Sequence, residues 1–221
     1  DLTLSPVDQV KQYQKVLRQD IRKLRERGLV VIHDDTWKTA DSFIEFYCST
    51  MTRRDASSEY FVDKGWLDLF KSALQDRCHL FYVEFENQTI ASLLAIESNG
   101  LVHAHLTGIN NNFLHLSPLK ILLDGIRNWS VEQGHQYFHL GGGIGGKEDS
   151  LYAFKRKFSP KSNSFIIGRW IINVDAYSDA HRRVHGSSNN FADGYFPSYR
   201  SISSTESTTE NDNEFVKEFA V

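Results

Sequence analysis

The segment from Tyr137 to Phe158, YFHLGGGIGGKEDSLYAFKRKF, constrains the fold of this chain more than any other. Its first residues are β-prone, and five glycines within six residues then end the strand by allowing backbone angles closed to other residues. Leu151, Phe154 and Phe158 follow at helical spacing and indicate one buried helix face. The segment therefore predicts a strand, a glycine loop and a helix.

Lys155 occupies a special position on this predicted helix. At about 100° per residue it lies about 40° from Leu151, at the edge of the buried face. Arg156 and Lys157 lie further round, at about 140° and 240°, where they should be solvated. From this position alone, a lysine whose stem only covers apolar surface is favoured, and a functional cation is the alternative.

The glycine loop also matches two short nucleotide-binding patterns, but in each case a further residue that the pattern requires is absent. A P-loop needs Ser or Thr after its lysine to hold magnesium, and here the residue is Glu148. A dinucleotide site needs an acidic residue about 20 positions further on, where this chain has Lys161, Ser162 and Asn163. Neither nucleotide-binding fold is favoured.

Composition excludes several classes of protein. A formal net charge of −3 argues against nucleic-acid binding by the whole surface, although not against a local basic patch. Cys48 and Cys78 make neither a metal-spaced pair nor a disulfide framework, and the histidines lack metal spacing, so no metal site is predicted. No apolar run approaches the roughly 20 residues that cross a bilayer, and the chain begins without a signal peptide. We expect a cytoplasmic protein.

Periodicity and capping residues predict the order of elements along the chain. The hairpin signal Asn99-Gly100 joins two of the strands. The predicted elements are a helix from Ser5 to Gly28, a strand Leu29–His33, helices capped by Asp34–Thr36 and Asp63, strands Leu80–Glu86, Ile90–Glu97 and Leu101–Ile109, a helix after Ser117-Pro118, the segment above, and a strand Phe165–Val174.

This order resembles that of the GNAT acyltransferase fold, which implies an α/β (α+β) fold with a mixed, mostly antiparallel twisted sheet flanked by helices. Residues 1–185 are expected to form one domain. Residues 186–221 are expected to be a largely disordered polar tail, because Ser201–Glu210 has a single apolar residue and no pattern. Within that tail, the aromatic residues of Gly194–Arg200 should pack back on the domain.

The string LGGGIGGKEDSLYAFKRKFSP resembles the C-terminal signature of FemAB-type GNAT-like proteins, the peptidoglycan-bridge aminoacyltransferases and their relatives in cell-surface polysaccharide clusters. The resemblance covers Leu2–Val184 by element order and is strong over Tyr137–Pro160. It implies that residues 1–185 are the C-terminal lobe of a longer protein. It also implies transfer of an aminoacyl or acyl group to an amine of a cell-wall or surface-polysaccharide precursor.

The same resemblance implies roles for individual residues. Lys155, in the Phe-Lys pair with Phe154, would be essential for transfer, and a fixed cation can stabilise the oxyanion that forms. Gly141, Gly142 and Gly143 would line the substrate site, where their backbone can approach an anion closely, with a sharp turn at the end of the strand as the alternative role. Phe154 would also contact substrate.

Two further substrate contacts come from the resemblance. Arg54 matches the position that binds the acceptor's diphosphate, with a surface ion pair to Asp55 or Glu59 as the alternative. His105 shares a strand face with His103 and is a substrate-contact candidate. No residue is identified as the general base.

The donor is left open between aminoacyl-tRNA and acyl-CoA, and no tightly bound cofactor is expected. Acyl-CoA enzymes of the GNAT type carry a glycine-containing pyrophosphate loop where this chain reads GINNNFLHLSP, which shifts weight towards aminoacyl-tRNA. The acceptor would be a nucleotide- or lipid-linked sugar or peptide. An acyl-CoA N-acyltransferase acting on a nucleotide-linked amino sugar, and a catalytically inactive binding lobe, remain alternatives.

Overall fold

The computed structural model describes residues 1–164, 166, 168–186 and 196–200. These residues belong to two compact units, of which the first is Asp1–Ser162 and the second begins at Asn163. The first unit contains the sheet, both apolar cores and the glycine loop.

A five-stranded sheet in the order β1-β2-β3-β4-β5 forms the centre of the first unit. The first four strands pair antiparallel, and the fifth pairs parallel to the fourth. Asn99 and Gly100, both with positive φ, close the β3–β4 hairpin as predicted. The strands are β1 (Val30–His33), β2 (Cys78–Phe85), β3 (Gln88–Ser98), β4 (Leu101–Ile109) and β5 (Tyr137–His139).

Helices cover both faces of this sheet, which confirms the predicted fold class. One core lies between the sheet and α2, α5 and α6, around Leu17, Phe81 and Leu122. The other lies between the sheet and α3 and α4, around Phe43 and Leu94. The helices are α1 (Pro6–Lys11), α2 (Lys15–Glu26), α3 (Ala40–Arg53), α4 (Lys64–Leu74), α5 (Leu119–Glu132) and α6 (Ser150–Lys155).

The single leading helix predicted from Ser5 to Gly28 is wrong, because the helix is interrupted between α1 and α2. Gln14 has an extended backbone, and its N–H donates to the carbonyl of Lys157 at 2.8 Å. The phenol of Tyr13 donates to the buried Asp124 carboxylate at 2.9 Å. These long-range hydrogen bonds replace helical ones, while the apolar face of α2, Leu17, Ile21 and Leu24, is buried.

The final predicted strand, Phe165–Val174, is also wrong for its described residues. They form no strand, and Val174 instead begins helix α7 (Val174–His185) in the second unit. A strand needs a partner edge and a buried face. Here Ile166, Trp170 and Ile172 are 85%, 79% and 98% exposed, so the side chains bury no common face.

The tail prediction falls mostly outside the described residues, which end with the short segment 196–200. In that segment the N–H of Ser198 donates to the Tyr177 hydroxyl at 2.7 Å, and His181 Nδ1 lies 2.9 Å from Ser198 Oγ. The segment therefore packs on α7. No helix in the described part of the chain is long and apolar enough to span a membrane.

Gly108→Ala should destabilise the fold because α3 packs against β4 at this position without room for a methyl group. A Cβ on Gly108 would lie 2.4 Å from the backbone nitrogen of Tyr47 and 2.6 Å from the carbonyl carbon of Phe46. We expect a loss of about 1–3 kcal/mol in the free energy of unfolding, measured by urea denaturation. The control Gly65→Ala meets only an ordinary 3.4 Å contact on α4 and should be neutral or stabilising by up to about 1 kcal/mol. Equal stability of the two variants would contradict this packing.

Candidate functional site

Strands β4 and β5 separate after a short paired region. Their parallel register runs only from Leu101 with Tyr137 to His103 with His139, whereas β4 continues to Ile109 against β3. Among the described residues, no strand pairs with this edge of β4 beyond His103. We call the opening where the strands part the β4–β5 fork. It is bordered by His103, His105, His139, Gly141 and Lys155.

A β-bulge sets the position of His105 at this fork. Leu94 of β3 pairs with Leu106 and Ala95 pairs with Ala104, so His105 is the extra residue of β4. Such a bulge re-aims side chains locally. The imidazole of His105 stacks on the ring of Phe70 from α4, with centroids 5.5 Å apart and planes within 3°.

The glycine loop after β5 is held by Asp149, a residue that the sequence analysis missed. Its carboxylate accepts hydrogen bonds from the N–H of Ile144 at 2.9 Å and from that of Tyr152 at 2.8 Å, so it caps α6 and ties down the loop. Partial burial opposes ionisation, but these amides keep the pKa of Asp149 below its usual range. An acidic residue just before a predicted helix is the signal that could have identified it.

The predicted glycines differ in what they do. Gly141 has φ +78°, a conformation that favours glycine. A Cβ on Gly143 would lie 2.0 Å from the Lys147 carbonyl oxygen, so this position needs glycine for space. A Cβ on Gly142 would meet nothing within 4 Å, and the role of Gly142 here is to present its carbonyl group to Lys155.

Lys155 is the last residue of α6 and is half-buried at the fork. Its ammonium group donates to the Gly142 carbonyl at 2.8 Å. Within the described residues, no carboxylate lies at ion-pair distance from it. Burial lowers the pKa of Lys155, and the more distant Asp149 opposes that shift. The predicted position at a packed edge is confirmed, and the ammonium group faces the loop.

His103 lies beside Lys155. The histidine predicted from the sequence to contact substrate was His105, two residues further along β4. The ring centroid of His103 is 5.1 Å from that of His139 and 5.7 Å from that of His105. Burial, then His139, His105 and Lys155, lower the pKa of His103 to about 4, and burial also lowers the pKa of His105 and of His139. The described residues hold no histidine, cysteine or carboxylate cluster suited to a metal ion.

Two predicted site residues do not border the fork. Phe154 is buried in the larger core, edge-on to Phe158 at 5.6 Å, so in this structure it anchors α6. Arg54 caps the C-terminus of α3, beside the far end of β4, where Ile109 N–H donates to Thr50 Oγ at 3.4 Å. From His103 to Ile109 the strand advances about 20 Å. The end of β4 beside Arg54 is therefore open on its β5 side, but it is remote from Lys155 at the fork.

The remaining cations near α6 are less solvated than predicted. Arg156 and Lys157 are both partly buried. The Arg156 guanidinium donates to the Pro160 carbonyl and lies 6.0 Å from the centre of the Tyr152 ring. The chain turns back after α6 and packs against the α1–α2 connection, which accounts for this burial.

Comparison with structures of known proteins identifies the same fold elsewhere. FemX aligns with a TM-score of 0.62 and 13% identity, over 71% of this chain and 56% of the FemX chain. A possible acetyltransferase from Clostridium difficile 630 aligns with a TM-score of 0.50 and 9% identity, over 66% of this chain and 99% of that one. An aminoglycoside acetyltransferase from an uncultured soil metagenomic sample, in complex with trehalose, aligns with a TM-score of 0.48 and 14% identity, over 66% of this chain and 95% of that one.

At these identities the structural similarity shows the fold alone, and the chain spans little more than half the length of FemX. A search of curated proteins finds no match. The sequence itself matches the family described as acetyltransferase (GNAT) domain over residues 11–156, from α1 to the end of α6. The fold and the sequence match agree, and the chain belongs to the GNAT acetyltransferase-domain family.

Proposed function

We propose that this chain transfers an activated aminoacyl or acyl group to an amine of a cell-wall or surface-polysaccharide precursor. In this proposal, Lys155 stabilises the oxyanion, the loop of Gly141, Gly142 and Gly143 shapes the donor site, and Phe154 holds α6 in place. His105 contacts substrate at the bulge of β4. Residues 1–185 would act as the C-terminal lobe of a longer transferase, a proposal that rests on the FemAB-type signature.

The observation that carries this proposal is the partnership of Lys155 with a single loop carbonyl at the β4–β5 fork. Among the described residues, this half-buried ammonium group has one 2.8 Å carbonyl contact and no carboxylate at ion-pair distance, so it can still donate to an incoming oxygen. When an amine attacks an ester or thioester, negative charge develops on the acyl oxygen. A cation fixed in advance at that point lowers the barrier without reorganising during the reaction.

Arg54 would bind the phosphate groups of a long substrate rather than the reacting acyl group. The advance of about 20 Å along β4 separates it from Lys155 by more than one side chain can bridge. A planar guanidinium at the open end suits diphosphate oxygens. The adjacent Arg53 donates to Asn111 on the turn after β4, and it thereby fixes the end of α3 from which Arg54 projects.

The two donor classes are supported by different observations. The match to an acetyltransferase family supports acyl-CoA. The turn that follows β4, Asn111–Leu116, has no glycine and is capped by the Asn110 side chain instead, which supports a donor other than a coenzyme A ester. The second candidate function is therefore an acyl-CoA-dependent N-acyltransferase acting on a nucleotide-linked amino sugar.

One assay separates these donors. The chain is incubated with an amino sugar or a lysine-containing peptide, and release of thiol from acetyl-CoA is compared with deacylation of alanyl-tRNA. Turnover of the tRNA ester alone supports the aminoacyltransferase. Turnover of acetyl-CoA alone would refute the tRNA reading and favour the N-acyltransferase. Failure of both donors would favour a binding lobe without catalytic activity.

A further inference from the structure

His103 and Lys155 converge on one point beside Gly141. The position that a Cβ of Gly141 would occupy is 3.2 Å from Lys155 Nζ and 3.9 Å from His103 Nε2. The left-handed φ of Gly141 favours glycine there, so no side chain fills the space. Because a Cβ lies at bonding distance from its Cα, a substrate atom would sit further out than this position, in contact with Gly141 and close to both the ammonium donor and the imidazole nitrogen.

Amine acylation needs a proton acceptor as well as an oxyanion site. When the amine lone pair forms the C–N bond, the nitrogen becomes positively charged and must lose a proton before the acyl–oxygen or acyl–sulfur bond breaks. The departing oxygen or sulfur must then gain a proton. A single base beside the acyl group can perform both transfers.

We propose that His103 is the catalytic residue that takes the proton from the attacking amine and returns it to the leaving group, an inference that rests on the proposed function. Its Nε2 and the Lys155 ammonium both lie beside Gly141, so an acyl group bound against this glycine would be near both groups. The oxygen bound by Lys155 gains the electron pair of the carbonyl bond. Collapse of the intermediate restores that bond and expels the leaving group, and no net proton is produced.

The surroundings of His103 set its protonation state. The titratable groups around it are His105 on the same strand, His139 on β5 and Lys155 on α6, while α4 presents the uncharged ring of Phe70 to His105. Its low pKa keeps the imidazole neutral at pH 7. A pKa below the operating pH makes the neutral imidazole a weaker base and its protonated form a ready donor to the leaving group.

His103→Ala tests this assignment in the full chain, with the donor and amine that turn over above. We expect kcat to fall about 10²-fold. Added imidazole should raise the kcat of the variant at least about tenfold, because it can occupy the vacated space. Rescue should strengthen with the basicity of substituted imidazoles. The same additions should not rescue Lys155→Met, since imidazole cannot replace a fixed ammonium group.

Several results would overturn the inference. A wild-type rate in His103→Ala would remove the catalytic role and leave the proposed transfer intact. A slow but folded His103→Ala that no imidazole rescues would assign His103 a packing role instead. If His103→Ala does not fold, His103→Gln replaces it, since glutamine keeps similar bulk but cannot carry the proton. The kcat of His103→Gln must then fall about 10²-fold, and normal activity would refute the role. If the wild-type chain transfers nothing, the inference fails together with the proposed function.

Discussion

Lys155→Met should lower kcat for transfer by about 10²–10³-fold while leaving the fold intact. Methionine retains most of the aliphatic stem that packs at the end of α6, so the loss reports on the ammonium group. That group donates to the Gly142 carbonyl and lies next to the point beside Gly141. Steady-state kinetics at saturating donor and amine, with thermal unfolding as the check on folding, measure the effect.

Lys157→Met is the matched control for this experiment. Lys157 follows α6 by two residues, and its backbone carbonyl is bonded to Gln14 N–H, which a side-chain change leaves in place. Its rate should remain within about threefold of the wild-type rate. A folded Lys155→Met variant that is as active as Lys157→Met would mean that Lys155 only covers apolar surface with its stem.

Asp124→Ala should cause a large loss of stability. The Asp124 carboxylate is 2% exposed, and it accepts from the Tyr13 hydroxyl at 2.9 Å and from the Arg127 guanidinium at 3.2 Å. It also pairs with Arg25 of α2. Removal would leave the buried Arg127 without its carboxylate, at a cost of about 3–5 kcal/mol in the free energy of unfolding.

Asp20→Ala tests whether this cost comes from burial rather than from losing any ion pair between the same two helices. Asp20 of α2 and Lys120 of α5 pair at 3.0 Å, and both side chains are partly exposed. Urea denaturation should show a loss of less than about 1 kcal/mol for this variant. If Asp124→Ala lost no more than Asp20→Ala, the network around Asp124 would not hold the helices together.

The sequence predicted the parts of the structure that local patterns determine. The Tyr137–Phe158 segment folds as a strand, a glycine loop and a helix, and Asn99-Gly100 closes its hairpin. Two errors came from long-range contacts. The Gln14 amide bonds to the Lys157 carbonyl and interrupts the leading helix, and the described residues of the last predicted strand pair with no sheet edge.

The site was predicted only in part for the same reason. Helical geometry alone placed Lys155 at a packed edge. The approach of His103 to His139 depends on the parallel register of β4 and β5, which no local pattern specifies. The bulge that sets His105 depends on pairing with β3. Asp149 has the local signature of a helix cap, but its bond to Ile144 needs the folded loop.

Direct detection of the new amide bond tests the central claim, that the β4–β5 fork is where an activated acyl group meets an amine. The chain is incubated with isotopically labelled acetyl-CoA or alanyl-tRNA and an amino sugar or lysine-containing peptide. Mass spectrometry then quantifies the labelled amide. We predict one amide formed for each thiol or tRNA hydroxyl released, from one of the two donors. Release of the label only as free acid, or no release from either donor, would contradict the account.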